Sequence, residues 1–174
     1  HSSSGSAVMY STYSGVEYGL SADDIAGIRA IYGTRTVDAY DAVAANGMFS
    51  TASNITSAID VSTHQAVLNP LDITATNDVD FYQFTAPTGG TGSMVITVKS
   101  SGLSLLAPSL KIYNASQTQI GAATGTGYQG STLTSTLSYT AGQTYYIRVA
   151  GANASAFGIG RYGLTLNFAG GSSP

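Results

Sequence analysis

The chain contains no cysteine and no tryptophan, and only 9% of its 174 residues are charged. Without cysteine it cannot form a disulfide framework, a thiolate zinc site or an iron–sulfur cluster. No apolar run approaches the roughly 18 residues that indicate a membrane span. Low charge, many small polar residues and 12 tyrosines favour an exported, β-rich protein, so we expect a secreted, extracellular location.

Acidic residues are missing from the second half of the sequence. All nine lie at or before Asp80, and four cations follow it. Those cations are Lys99, Lys111, Arg148 and Arg161. Nucleic-acid binding is not expected, because no basic patch has the density needed to contact a phosphate backbone. No signal peptide is visible, and since the first residue is His rather than Met we expect the natural start to have been removed.

One convincing helix is predicted near the N-terminus, from about Ser21 to Tyr32. Ser21 can cap it, with Asp24 in the reciprocal capping position, and Gly33 follows as a stop signal. Apolar residues recur at helical spacing on one face; they are Ile25, Ile28, Ile31 and Tyr32. A 33-residue piece buries too little surface to fold alone. We therefore expect this face to dock on the rest of the chain or on a second copy.

The rest of the chain alternates apolar and polar residues between turns rich in Gly, Ser, Thr, Asn and Pro. The clearest predicted strands are Val79–Phe84, Met94–Lys99, Ser109–Tyr113, Thr132–Tyr139, Thr144–Ala150 and Arg161–Phe168. This pattern predicts a mainly β fold, a jelly-roll-like antiparallel β-sandwich. The predicted organisation is a first piece over 1–33, a linker over 34–37, the sandwich over 38–168 and a tail over 169–174.

Two blocks of the first piece resemble the end of the catalytic domain of matrixins, a metzincin family of zinc proteases. The first block is His1-Ser-Ser-Ser-Gly-Ser-Ala-Val-Met-Tyr10, and the second is Leu20-Ser-Ala-Asp-Asp-Ile-Ala-Gly-Ile-Arg-Ala-Ile-Tyr-Gly33. In matrixins the motif H-E-x-x-H-x-x-G-x-x-H precedes a methionine turn and a closing helix. The order and spacing of the blocks match that arrangement over residues 1–33.

The resemblance implies a role for three residues of this piece. His1 would be the third zinc ligand, Met9 the methionine of the Met-turn, and Tyr13 part of the wall of the substrate pocket. The chain holds no H-E-x-x-H, so the Glu that would act as general base is missing and no catalytic residue is expected here. The fragment alone is therefore predicted to be inactive. A clipped affinity tag would also leave a His followed by Ser-Ser.

The second piece resembles the bacterial pre-peptidase C-terminal (PPC) domain, a β-sandwich attached to many secreted proteases. The matching blocks are Asn77-Asp-Val-Asp-Phe-Tyr-Gln-Phe-Thr-Ala-Pro87, Pro108-Ser-Leu-Lys-Ile-Tyr113, Gly142-Gln-Thr-Tyr-Tyr-Ile-Arg-Val149 and Tyr162-Gly-Leu-Thr-Leu166. Members of this family are associated with secretion, and the resemblance implies that some relatives bind matrix polymers or calcium.

Five aspartates offer the hard oxygen ligands that calcium prefers; they are Asp38, Asp41, Asp72, Asp78 and Asp80. Asp78 and Asp80 share one face of a predicted strand and are the expected calcium ligands. The alternative is that Asp78 caps a turn and Asp80 accepts a backbone or tyrosine hydrogen bond. Tyr113, Tyr128 and Tyr146 are candidates for gripping a polymer, although tyrosines in sheets more often pack.

Two functions from different classes remain open on the sequence. In the first, the chain is the C-terminal part of a secreted bacterial zinc metalloendopeptidase, whose missing N-terminal catalytic part acts on a protein or peptide substrate. In the second, it is a non-catalytic module for secretion or for binding a substrate or matrix polymer. Zinc belongs to the first hypothesis, in the intact parent, and calcium is compatible with either.

Overall fold

The computed structural model describes residues 1–12, 15–16, 20–88, 92–126 and 130–168. The chain divides into two compact units, residues 1–36 and residues 37–174. The predicted tail over 169–174 lies outside the described residues. In the described part of the chain, no helix combines the length and hydropathy needed to cross a membrane.

The first unit contains the helix α1 over Ala22–Tyr32. Its predicted capping is confirmed: the Ser21 side chain accepts from the Asp24 amide, and the Asp24 side chain accepts from the Ser21 amide. The helix ends at Gly33, whose φ of 77° is a conformation that favours glycine. The apolar face predicted for the helix is largely exposed, with Ile28 at 47%, Ile31 at 76% and Tyr32 at 82%.

Nine strands lie in the described part of the second unit. They are β1 Ser53–Asn54, β2 Gln65–Ile73, β3 Val79–Thr85, β4 Ser93–Lys99, β5 Pro108–Asn114, β6 Gln119–Thr124, β7 Thr132–Ser138, β8 Thr144–Gly151 and β9 Gly160–Asn167. Three short 3-10 turns accompany them at Phe49–Thr51, Thr56–Ala58 and Ala156–Gly158. All six strands that were clearest in the sequence are present, with ends that differ by one residue.

The strands form two sheets, one with the order β1-β3-β8-β5-β6 and the other with the order β2-β9-β4-β7. Every described pairing is antiparallel except that of β1 with β3. The predicted mainly β sandwich is thus confirmed.

Alternate residues of both sheets fill the space between them, as the period of two in the sequence requires. Among the side chains with no exposed area are Phe84, Met94, Ile96, Leu110, Ile112, Ile147, Leu164, Leu166 and Phe168. Each such burial contributes on the order of 1.5–3 kcal/mol relative to exposure. Packing of this core therefore fixes the positions of the strands, including β3, which carries Asp80.

Strand β2 was not among the clearest in the sequence, and its course explains why. It contains Pro70, preceded by a cis peptide bond, and its register against β9 shifts between Leu68 and Leu71. A proline cannot donate to a sheet hydrogen-bond ladder, so a sequence pattern containing one is normally demoted. The irregularity also breaks the alternation of buried and exposed residues that would have revealed the strand.

Candidate functional site

Three aspartate side chains of the second unit meet near the start of β3. One carboxylate oxygen from each of Asp41, Asp78 and Asp80 lies within 4.8 Å of the others. Asp41 comes from the loop before the sandwich strands, Asp78 from the turn after β2, and Asp80 from β3 itself. Asp41 and Asp78 also line a cleft of about 290 Å³. The structure thus brings together the two expected calcium ligands and adds a third carboxylate.

Asp80 is the buried member of this cluster, with no exposed area. The pKa of its carboxyl is raised to about 8, chiefly by burial and in smaller part by the charges of Asp41, Asp78 and Asp38, while the hydrogen bond from Tyr162 opposes the shift. Burial also raises the pKa of Asp41, helped by the charges of Asp78 and Asp38. The cluster therefore resists carrying its full negative charge unless a cation or a proton compensates it.

Asn46 completes the cluster and was not recognised in the sequence. It is fully buried, and its backbone carbonyl accepts from the Phe81 amide at 2.9 Å. With the amide nitrogen turned inward, it donates to Asp41 Oδ1 at 2.9 Å and to Asp80 Oδ1 at 3.1 Å. With the oxygen turned inward, an amide oxygen joins the carboxylate oxygens of Asp41 and Asp80 as a further candidate ligand. The Asn46-Gly47 pair, a common turn signal, was the available sequence clue.

Asp78 has the turn-capping role that the sequence offered as an alternative. Its Oδ2 accepts from the Thr74 amide at 2.6 Å and from the Thr74 hydroxyl at 2.8 Å. The tyrosine hydrogen bond proposed for Asp80 is also present, since the Tyr162 hydroxyl donates to its Oδ2. These bonds place both carboxylates without excluding a shared cation.

The other two aspartates considered as ligands lie outside the cluster. Asp38 bridges two segments: its Oδ2 accepts from the Asp72 amide at 3.0 Å, and its Oδ1 accepts from the Tyr40 amide at 2.8 Å. Asp72 lies in β2, opposite Arg161 of β9. Asp38 thus holds the loop that carries Asp41 against the sandwich.

The first unit connects its two sequence blocks through Asp24. The Asp24 carboxylate, which caps α1, also accepts from the Val8 amide at 2.9 Å and from the Met9 amide at 3.2 Å. The pKa of Asp24 is lowered to about 2, most strongly by the hydrogen bond with the Ser21 side chain and further by these backbone hydrogen bonds. The Met9 side chain is 62% exposed. The turn that contains Met9 is therefore anchored through its backbone.

His1 lies in the same unit and, with Met9 and Ile28, lines a mostly apolar cleft of about 670 Å³. Among the described residues, the one group of three or more potential metal ligands is that of Asp41, Asp78 and Asp80. A single imidazole does not make a zinc site, so the described residues around His1 do not fit zinc by themselves. Tyr13, the predicted pocket wall, lies outside the described residues.

A second surface feature is an aromatic cluster on the outer side of the five-stranded sheet. Phe49 packs edge-on against Tyr113 and Tyr146, with ring centroids 5.0 Å and 5.3 Å away, and lies 4.6 Å from Phe81. Both tyrosines are half-buried. Tyr128, the third tyrosine considered as a polymer contact, lies outside the described residues.

Comparison with known proteins gave distant structural similarities. No family model and no curated protein matches the sequence. One solved structure similar to this chain is the pre-peptidase C-terminal domain of collagenase from Bacillus anthracis, at 15% identity and a TM-score of 0.42, covering 59% of this chain and 89% of that one. Another is the carbohydrate-binding module CBM36 in complex with calcium and xylotriose, at 14% identity and a TM-score of 0.35, covering 62% and 89%.

Proposed function

We propose that the β-sandwich is a non-catalytic module of a secreted protein and that calcium binds at Asp41, Asp78 and Asp80. The convergence of three carboxylates within 4.8 Å carries the proposal. Like charges at this separation repel, and the cost is greatest for Asp80 because it is removed from water. A bound divalent cation would remove that cost.

Calcium suits this site better than a soft metal ion or an ion that requires a strict coordination geometry. The site offers oxygen ligands, and calcium accepts six to eight oxygens in flexible geometry. The open cleft at Asp41 and Asp78 leaves room for water to complete the coordination. A cation here would tie the loop carrying Asp41 to the start of β3. We therefore expect calcium to stabilise the sandwich and to have no part in catalysis.

Thermal unfolding of the whole chain in EDTA and in excess calcium tests this proposal. At a calcium concentration of about 100 times Kd, binding adds about 2.7 kcal/mol to the free energy of unfolding, so Tm should rise by several degrees. Asp41→Asn and Asp78→Asn should reduce the rise. Asp23→Asn, which removes the same charge from the first unit, should leave it intact. An unchanged Tm together with no calorimetric binding would contradict the calcium site.

A second candidate function is that the intact parent is a matrixin-like zinc metalloendopeptidase secreted by a bacterium. The observation that favours it is the contact between the two resemblance blocks, since Asp24 of one holds the amides of Val8 and Met9 in the other. In such a parent His1 would need further zinc ligands from outside this chain. Peptide cleavage would belong to that missing catalytic part.

The parent reading frame immediately upstream of His1 decides this second candidate. If it encodes H-E-x-x-H-x-x-G-x-x, the parent has the ligands and the general base that this chain lacks. An affinity tag or an unrelated sequence there would remove the zinc role of His1. As an independent check, the 174-residue chain should show no peptidase activity with added zinc, whereas the parent should lose its activity to a zinc chelator.

A further inference from the structure

The outer side of the five-stranded sheet carries a pair of adjacent cations. Lys111 of β5 lies directly opposite Arg148 of β8, and both are half-buried. Like charges directly opposite each other destabilise a sheet. Asp80 is the one acidic residue in the strands of this sheet. Its side chain is fully buried and points to the inner side, whereas the next residue, Phe81, faces outward. No strand carboxylate on this side therefore compensates the pair.

A pair of tyrosines stands next to the cations on the same side of the sheet. Tyr113 lies opposite Tyr146, two residues along the same two strands from Lys111 and Arg148. Two residues of strand span about 7 Å. Phe49 packs against both tyrosines with its ring nearly perpendicular to theirs. The outer side of the sheet thus carries an aromatic surface beside two positive charges.

We propose that this outer face, defined by Lys111, Arg148, Tyr113 and Tyr146, binds an acidic polysaccharide that carries sulfate or carboxylate groups. The proposal rests on the non-catalytic role proposed above for the sandwich and adds the class of ligand that this module would bind. Sulfate or carboxylate would neutralise the cation pair through charge-assisted hydrogen bonds. The tyrosines offer an apolar ring body and a polar hydroxyl, which matches the C–H face and hydroxyl rim of a sugar.

Other acidic polymers match this face less well. Two cations are too few for the dense phosphate contacts that nucleic-acid binding uses. An acidic peptide could neutralise the cations but offers no ring face to the tyrosine pair. Because the whole chain has a net charge of −3, attraction to a polyanion must come from a local surface. The spacing of charge and aromatic rings therefore favours an acidic sugar chain.

Binding of heparin, as a sulfated polysaccharide, to the whole chain at low ionic strength tests the proposal. Isothermal titration calorimetry should detect binding that is absent with a neutral xylan. Lys111→Gln combined with Arg148→Gln should weaken it at least tenfold, and Tyr113→Leu should weaken it severalfold. Lys99→Gln is a control for the loss of a positive charge elsewhere, because Lys99 belongs to β4 of the four-stranded sheet, and it should leave binding unchanged. Unfolding curves of each variant establish that it is folded.

Three results would overturn the proposal. One is no heparin binding by the folded wild-type chain. Another is equal loss of binding in the Lys99→Gln control. The third is equally tight binding of polyglutamate that Tyr113→Leu does not affect, which would indicate an acidic protein partner. Measurements in both calcium and EDTA separate this face from the aspartate cluster, since heparin binding that persists in EDTA with no calcium effect on Tm refutes the calcium site alone.

Discussion

The Tyr162 hydroxyl donates to the Asp80 carboxylate inside the sandwich, and so joins β9 of one sheet to β3 of the other. The same hydroxyl lies 2.8 Å from that of Tyr82. All three side chains have no exposed area. A buried polar network that is fully bonded fixes the relative position of the elements it joins, and this one links the core to the aspartate cluster.

Tyr162→Phe should destabilise the sandwich more than Tyr82→Phe. Removing the Tyr162 hydroxyl breaks two hydrogen bonds and leaves Asp80 and Tyr82 without their buried partner, a cost of about 1–3 kcal/mol. Tyr82→Phe breaks one bond and leaves that between Tyr162 and Asp80 intact. Urea unfolding of both variants measures the difference. Equal effects would show that the link to Asp80 adds nothing.

Stability in EDTA should fall as the pH rises from about 4 to about 8. The pKa of Asp80 is raised to about 8 in the folded state, while an unfolded aspartate titrates near 3.9. The native state therefore binds a proton that the unfolded chain has released, and stability declines by up to about 1.4 kcal/mol per pH unit in that range. Thermal unfolding at several pH values measures the slope.

Asp80→Asn should flatten this pH dependence, because the amide does not titrate and its oxygen can still accept from Tyr162. Asp23→Asn is the control and should keep the slope of the wild-type chain. Excess calcium should also reduce the slope, since a cation favours the ionised carboxylate. A slope that persists unchanged in Asp80→Asn would assign the dependence to other groups.

Asp24→Asn should loosen the turn that contains Met9. The aspartate accepts from the amides of Ser21, Val8 and Met9, and an amide side chain has one acceptor oxygen where the carboxylate has two. Hydrogen exchange followed by NMR should show faster exchange at Val8 and Met9. Asp23→Asn should leave the exchange rates of those two amides unchanged, because the wild-type Asp23 carboxylate accepts from the Ser2 hydroxyl and not from Val8 or Met9. Unaltered exchange in Asp24→Asn would contradict the anchoring role.

Gly130→Ala should destabilise the protein more than Gly142→Ala. The two glycines have nearly equal positive φ angles, 77° and 75°, so each substitution incurs a backbone cost of about 1–2 kcal/mol. A Cβ at Gly130 would also lie 2.6 Å from the Ser104 carbonyl oxygen, whereas a Cβ at Gly142 would have open space. Comparing Tm values isolates the cost of the contact. Similar losses in both variants would show that the loop shifts freely.

Local features of this protein could be predicted from its sequence. The helix start at Ser21 and its stop at Gly33 depend on residues a few positions apart, and the six clear strands follow from alternation within each segment. The proximity of Asp78 and Asp80 could be predicted for the same reason, because the two residues are two positions apart in the sequence. Strand β2 was harder to predict from the sequence, because Pro70 and the irregular register disrupt its alternation of buried and exposed residues.

Relationships between distant segments were decided by the tertiary structure. Asp41 and Asn46 join Asp80 because the loop before the strands packs against β3, and Lys111 faces Arg148 because β5 pairs with β8. Alternation tells which residues share a face of a strand, but it does not tell which strands are neighbours. By itself the sequence determined the helix, the six clear strands and the buried faces of those strands, while packing of the two sheets around a common core determined which polar side chains meet.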